Sequence, residues 1–289
     1  ALAEAAQAAD GPLLVITASS RELEQRRAEL RFFSARQLPV LSLPDWEVLP
    51  YDLLSAHPDI VSERLATLAA LPTLQRGLVL LSADSLLQRL PPRAWIEARS
   101  FELETGTTIA LEAFRARLVE SGYASVAQVT LPGEFALRGS LLDVFPMGSE
   151  DPLRIDLFDD QIEAIRRFDP LTQRSGASLS AVRMLPAREL PLDPDAVRAF
   201  RRRWRTRFEG DPTRSTVYKG VSEGFAPPGI EFWLPLFFEA TASVLDYLPD
   251  SAIVAQFDDS EAAMDRAWLD IGSRYEERRH DIERPLLAP

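Results

Sequence analysis

Short apolar runs alternate with helix-spaced segments through the first ninety residues. The apolar runs are LLVIT at 13–17, VLSL at 40–43 and LVLLS at 78–82. Continuous runs of this length are typical of strands buried on both faces. Helical patterns are expected at 20–33, 59–71 and 83–90. Because parallel strands need a crossover between them, this alternation predicts a doubly wound parallel α/β sheet that ends at Pro91-Pro92.

The pattern changes after Pro92 to short alternating segments separated by turn residues such as Pro132-Gly133 and Asp159-Asp160. Strands are expected at 99–104, 124–130, 134–137, 140–145, 153–158, 162–168 and, closing the region, around 182–185. A helix at 110–121 places Leu111, Phe114 and Leu118 on one side. Together these elements predict an antiparallel α+β domain of about 90 residues.

The last third of the chain returns to helical spacing. Asp193-Pro194 is a good helix start, because an acid caps the helix and proline fits its first turn. Two apolar stripes are expected to face the core: Val197, Phe200, Trp204 and Phe208 on one helix, and Met264, Trp268, Ile271 and Tyr275 on a later one that begins at Ser260. Residues 252–255 between them are a candidate buried strand that could rejoin the first sheet. The first domain is therefore expected to be split into 1–93 and 187–289, with 94–186 inserted.

Composition limits the chemistry available to this chain of 289 residues. Cysteine is absent, which excludes disulfides, thiol catalysis and cysteine-ligated metals, and favours a cytosolic protein. The net charge of −12 makes the chain a poor general binder of polyanions, because phosphate contacts need clustered cations. No apolar run approaches the length of about 20 residues that a membrane helix needs.

Nucleotide-binding motifs do not occur in the sequence. The single lysine, Lys219, lies in Tyr218-Lys219-Gly220, which does not match a phosphate-binding loop, and there is no G-x-G-x-x-G. We therefore expect no catalytic residue, no metal and no cofactor in this chain. An arginine-rich helix, with Arg201, Arg202, Arg203, Arg205 and Arg207, is either a solvated face or a contact for phosphate or a partner.

The most informative stretch, residues 133–174, has the pattern of two hairpins. Its alternation places Arg138 and Arg154 near Phe158 at one edge of the sheet. Arginine and aromatic residues are enriched at binding hot spots. Ordinary ion pairs on a sheet, with Phe158 in the core, would explain the same spacing.

Several motifs resemble those of the domain shared by UvrB, an excinuclease subunit, and the transcription-repair coupling factor (Mfd) family. Within 133–174 they are G-x-F-x-x-R-G, L-x-D-x-F-P, R-x-x-x-F-D and F-D-P-x-T-Q. Three further stretches favour the coupling factors: LPDWEVLPYD at 43–52, LPTLQRG at 71–77 and GIEFWLPLFF at 229–238. The resemblance extends over nearly the whole chain, and its motifs occur in the family's order.

The resemblance implies an architecture and a role. The fold would be a split, degenerate P-loop or helicase-like parallel sheet domain with an inserted antiparallel α+β domain. Arg138, Arg154 and Phe158 occupy the positions of the family's UvrA-contacting motif. Segment 51–62 is too short for the DNA-probing hairpin of UvrB, which argues for docking rather than lesion chemistry.

Other parts of such a protein would carry the motor. The resemblance implies a bacterial cytoplasmic protein that uses ATP and Mg and acts on RNA polymerase and double-stranded DNA. Two alternatives remain at this stage. One is an active, nucleotide-dependent UvrB-like enzyme, and the other is a stand-alone UvrA adaptor.

Overall fold

The computed structural model describes residues 2–33, 38–257 and 259–289. The chain separates into two compact units. The first unit comprises Ala1–Ala56, Thr67–Arg93 and Pro194–Pro289, and the second comprises His57–Ala66 and Ala94–Asp193. The sequence-based domain boundaries at 1–93, 94–186 and 187–289 stay a prediction, because they refer to parts that fold independently.

The helices and strands have the following bounds. The helices are α1 Leu2–Ala8, α2 Ser20–Phe33, α3 Pro58–Ala70, α4 Ala83–Leu87, α5 Arg93–Arg99, α6 Leu111–Glu120, α7 Pro194–Arg207, α8 Thr216–Ser222 and α9 Ser260–Arg278. The strands are β1 Leu13–Thr17, β2 Val40–Leu43, β3 Leu78–Ser82, β4 Phe101–Glu104, β5 Ala124–Ser125, β6 Glu134–Arg138, β7 Leu141–Val144, β8 Leu153–Phe158, β9 Gln161–Phe168, β10 Ser175–Leu179, β11 Ala181–Met184 and β12 Ile253–Gln256. Short 3-10 helices lie at Leu71–Thr73, Pro212–Arg214, Ile230–Leu236 and Val244–Tyr247. None of the described helices combines the length and apolar character that crossing a bilayer requires.

A parallel sheet forms the centre of the first unit, with strand order β12-β1-β3-β2. The two central strands, β1 and β3, are buried along their whole length, as their continuous apolar runs predict. On one face Leu13, Val15, Leu78 and Leu80 pack with Leu23 and Leu30 of α2. The mixed α/β class with a parallel sheet in this unit is therefore confirmed.

Two expectations about the last third need correction. β12 does rejoin the first sheet, in parallel with β1, but it is an exposed edge strand rather than a buried one. Its position explains the difference, because an edge strand has a neighbour on one side only. On α9 the buried positions are Ser260, Ala263 and Ala267, and Trp268 points outward with 51% of its surface exposed. Small residues allow α9 to lie close to α4. Of the expected stripe, Met264, Ile271 and Tyr275 are half-buried, and Trp268 is the exposed member.

The loop that carries the LPDWEVLPYD sequence is held by hydrogen bonds to other parts of the first unit. The Tyr51 hydroxyl donates to the carbonyl of Leu287 at 3.1 Å, and Nε of Arg274 donates to the carbonyl of Pro50 at 2.7 Å. Tyr51 has a φ of 60°, which is rare for a residue other than glycine. These contacts stabilise that backbone conformation, so the motif has a structural role here.

The second unit contains a six-stranded sheet of order β10-β9-β8-β7-β6-β5. Its pairs are antiparallel except β5 with β6, which is parallel. The strand expected at 124–130 is only Ala124–Ser125, and the strand around 182–185 pairs with β4 in a separate two-stranded ladder. The domain is thus α+β as expected, but it is not wholly antiparallel and does not close on its main sheet.

Candidate partner-binding surface

One face of the six-stranded sheet carries all three residues that the sequence singles out. We call it the outer face. The strand register gives its members as Arg138, Leu141, Asp143, Arg154, Asp156 and Phe158. Arg138 lies opposite Leu141, Leu141 opposite Asp156, and Asp143 opposite Arg154. Phe158 lies two residues beyond Asp156 on β8, and side chains two apart in a strand share a face. The structure therefore places Arg138, Arg154 and Phe158 on the same side of the sheet.

A tight turn fixes this register. Gly139 and Ser140 connect β6 to β7, and Gly139 has a φ of 61°, in the region that favours glycine. A two-residue turn of this kind brings the ends of the two strands directly opposite one another. Arg138, at the end of β6, is thereby held beside Leu141.

Part of the outer face is covered. Val129, Ala136, Phe145 and Phe168 form a small buried cluster there, with Val126 packed against it. The open part of the face is the end that carries Arg138, Leu141 and Phe158.

Asp143 is the electrostatic anchor of the outer face. It is only 3% exposed, although it carries a carboxylate. Arg154 donates to both carboxylate oxygens, from Nε at 2.7 Å and from the second guanidinium nitrogen at 2.9 Å. Arg138 approaches the same carboxylate at 3.9 Å. Two arginines thus share one buried acid, which offsets the cost of removing its charge from water.

Arg154 is oriented inward by these contacts. Its side chain is 17% exposed, it donates to the carbonyl of Gln173 at 3.2 Å, and its guanidinium lies 4.7 Å from the centre of the Phe168 ring. The hydrogen bond to Asp143 raises the pKa of Arg154 above its usual value. The planar fork that could grip a partner's carboxylate is therefore occupied by Asp143. For Arg154, the structure therefore agrees with the alternative interpretation of the sequence, in which the arginines form ordinary ion pairs on the sheet.

Arg138 is more accessible. Half of its side chain is exposed, and one guanidinium nitrogen donates to the carbonyl of Ala127. Since an arginine has five N–H donors, this leaves capacity for a partner. Arg138 therefore combines a fixed position with an accessible charge.

Phe158 is exposed, contrary to the alternative that places it in the core. It is 68% exposed at the end of β8, immediately before the Asp159-Asp160 turn. Leu141 is also exposed on the same face. From the strand rise and spacing, the Cα atoms of Arg138 and Phe158 lie roughly 12 Å apart, within one contact surface.

The three predicted binding residues do not include Arg166 and Asp156, which extend the outer face. Arg166 lies opposite Arg154 on β9 and forms an ion pair with Asp156. The Asp159-Asp160 turn predicts that β8 pairs with β9, and this pairing could have placed Arg166 beside Arg154 and Asp156. No group of three or more histidine, aspartate or glutamate side chains in the described ranges is arranged to hold a metal ion.

The fold and the outer face together define an α/β protein whose second unit presents an exposed aromatic residue and an accessible arginine on one face of its sheet. Residues 101–190 match the family described as the UvrB interaction domain. Those residues contain the whole six-stranded sheet, including Arg138, Arg154 and Phe158.

Relatives match over most or all of the chain. A transcription-repair-coupling factor of Escherichia coli (strain K12) is 39% identical over 289 residues, which is 100% of this chain and 25% of that protein. The protein of the same description from Haemophilus influenzae is 37% identical over 292 residues, and that of Mycobacterium tuberculosis is 35% identical over 272 residues, 88% of this chain. The chain belongs to the transcription-repair-coupling factor family, and it spans about a quarter of the length of the first two of these relatives.

Proposed function

We propose that this chain is a docking module that recruits UvrA through the outer face of its second unit. The observation that carries the proposal is the exposure of Phe158 beside the accessible Arg138 on a domain that matches the UvrB interaction domain. A large aromatic residue that is two-thirds exposed adds little to the fold, but it suits an interface anchor.

The residues of the outer face have different tasks in this proposal. Phe158 supplies apolar area whose burial contributes roughly 2 kcal/mol. Arg138 supplies a charge-assisted hydrogen bond to a carboxylate of UvrA, which is stronger than a neutral one. Arg154 is chiefly a positioning residue, since it holds Asp143, which in turn lies beside Arg138.

The first unit is proposed to be a degenerate helicase-like fold, and the chain itself to work without a cofactor. The parallel sheet supports the first statement, and the lack of a phosphate-binding loop motif in the sequence supports the second. The whole protein is proposed to be a cytoplasmic, ATP- and Mg-dependent DNA translocase that displaces stalled RNA polymerase from double-stranded DNA. In that setting this chain couples polymerase removal to nucleotide excision repair.

Titration of purified UvrA against the chain tests the docking surface. An Arg138→Ala, Phe158→Ala double variant is expected to lose at least about a hundredfold in affinity, because both anchors are removed. Phe32→Ala is the matched control, since Phe32 lies on α2 of the first unit and is 79% exposed. It is expected to bind UvrA like the wild type.

Thermal melts of each variant show whether a loss of binding is a loss of folding. Both variants are expected to melt close to the wild type, because exposed side chains contribute little to stability. Undiminished binding of UvrA by the folded double variant would remove the outer face as the docking site.

A further inference from the structure

A large cavity lies in the first unit, and all of its lining residues belong to that unit. Its volume is about 1240 Å³, and it is lined by the 45–51 loop, α4, α7, the 3-10 helix Ile230–Leu236 and α9. Small-molecule pockets usually measure about 300–1,000 Å³. An α-helix is about 10–12 Å wide and rises about 1.5 Å per residue, so this cavity corresponds to roughly nine helical residues. Its size suits a peptide segment.

The arginines of α7 divide into two groups. Four have partners inside the unit: Arg198 pairs with Asp195, Arg201 with the Tyr218 hydroxyl, Arg203 with the Leu236 carbonyl, and Arg205 with the Tyr218 ring. The guanidinium groups of Arg202 and Arg207 make no hydrogen bond or ion pair within the described part of the chain. These two line the cavity. Since both are exposed as well, they place accessible positive charge at the cavity in a chain whose net charge is −12.

Apolar side chains are also exposed in the cavity. Trp268 and Leu49 line it, and each is about half exposed or more. Tryptophan and arginine are the residue types most enriched at binding hot spots. An exposed tryptophan and two arginines that lack partners thus line the same cavity, which is more than a solvated helix face would show.

Carboxylates of other elements argue against a nucleic acid as the occupant. Five carboxylates line the same cavity, and they belong to Asp45, Asp84, Glu231, Asp246 and Asp270. Burial, together with the nearby carboxylates of Asp45 and Asp270, raises the pKa of Asp84. A phosphate backbone carries charge at every nucleotide and would be repelled along this side. A peptide can place its acidic residues near α7 only, so it fits the mixed charges better.

We propose that this cavity docks an acidic, amphipathic peptide segment of a partner protein. The carboxylates of that segment pair with Arg202 and Arg207, and its apolar side chains cover Trp268 and Leu49. The inference rests on the first unit alone. If UvrA does not bind the outer face, the proposal for this cavity is unaffected. If no acidic peptide binds the cavity, the proposal for the outer face is unaffected.

Selection of displayed 12-residue random peptides on the wild-type chain tests the inference. Recovered peptides are expected to be enriched in glutamate, aspartate and large apolar residues. Their dissociation constants are then measured by fluorescence anisotropy on an Arg202→Glu, Arg207→Glu variant. A loss of at least tenfold is expected, because two charge-assisted contacts become repulsive.

Arg198→Glu, Arg214→Glu is the matched control, since both residues lie in the first unit outside the cavity lining and the change in net charge is the same. It is expected to bind the peptides like the wild type, with both variants melting close to it. Equal loss in the two variants would show a general charge effect and overturn the proposal. So would peptides without acidic enrichment. The same assay is run with a 20-nucleotide single-stranded DNA. If that DNA binds more tightly than the peptides and its binding is lost in the Arg202→Glu, Arg207→Glu variant, the occupant is a nucleic acid and the proposal is overturned.

Discussion

At the scale of single residues, the ion pair between Arg154 and Asp143 separates a folding role from a binding role. Arg154→Ala would leave the carboxylate of Asp143, which is 3% exposed, with only Arg138 at 3.9 Å. Removing one partner of a buried pair is strongly destabilising, so we expect the free energy of unfolding to fall by about 3 kcal/mol. Phe158→Ala is expected to change it by less than about 0.5 kcal/mol, because the ring is exposed. Urea unfolding followed by circular dichroism measures both.

If the two variants are equally stable, Arg154 does not stabilise the fold through Asp143. Arg154 would then be a direct contact for the partner. An Arg154→Lys variant is a useful control, because lysine retains the charge without the planar fork. It is expected to lie between the wild type and Arg154→Ala.

The residue scale also shows what the sequence could predict of the site. Period-two alternation is enough to put Arg138, Arg154 and Phe158 on one face, and the structure has them there. The partner of Arg154 was not predictable, because Asp143 and Asp156 both share its face. The strand register decides between them, and it depends on the two-residue turn at Gly139.

At the scale of elements, strands with continuous apolar runs were predictable and weakly patterned ones were not. β1 and β3 lie where LLVIT and LVLLS place them. β10, with the sequence SGASL, has no apolar alternation and was missed, because only its pairing with β9 makes it a strand. β12 was predicted as a strand but not as an edge, since its own residues carry no information about how many neighbours it has.

The Tyr51 loop allows a prediction about pH. Burial, with a smaller effect of Tyr275, raises the pKa of Tyr51 to about 12, whereas a tyrosine in an unfolded chain ionises near 10. The contribution of Tyr51 to the free energy of unfolding is therefore fully present below about pH 10 and is lost as the pH rises towards 12.

Tyr51→Phe lacks the hydrogen bond to Leu287 and is expected to be about 1 kcal/mol less stable at pH 7. The gap between variant and wild type should narrow between pH 10 and 11.5 in urea unfolding. A gap that is constant across this range would show that folding does not raise the pKa of Tyr51.

At the scale of the whole molecule, we expect this chain neither to bind nor to hydrolyse ATP. The sequence has no phosphate-binding loop motif, and its single lysine lies in α8. Isothermal titration with ATP and Mg should give no binding heat, and a phosphate-release assay should give no rate above buffer. An ATPase with a phosphate-binding loop is the positive control. A dissociation constant in the micromolar range would instead support an active nucleotide-dependent enzyme.

The parallel sheet of the first unit has a consequence for the protein's synthesis. β12 follows β3 by about 170 residues, yet it pairs with β1 near the start of the chain. At roughly 5–20 residues per second, the ribosome adds that stretch in about 10–35 s. During this interval the edge of β1 that will receive β12 has no strand partner, and all six strands of the sheet in the second unit are synthesised before the interval ends. The second unit can therefore fold on the ribosome before the first unit is complete, and the unpaired β1 edge is a point at which the nascent chain is exposed to misassembly.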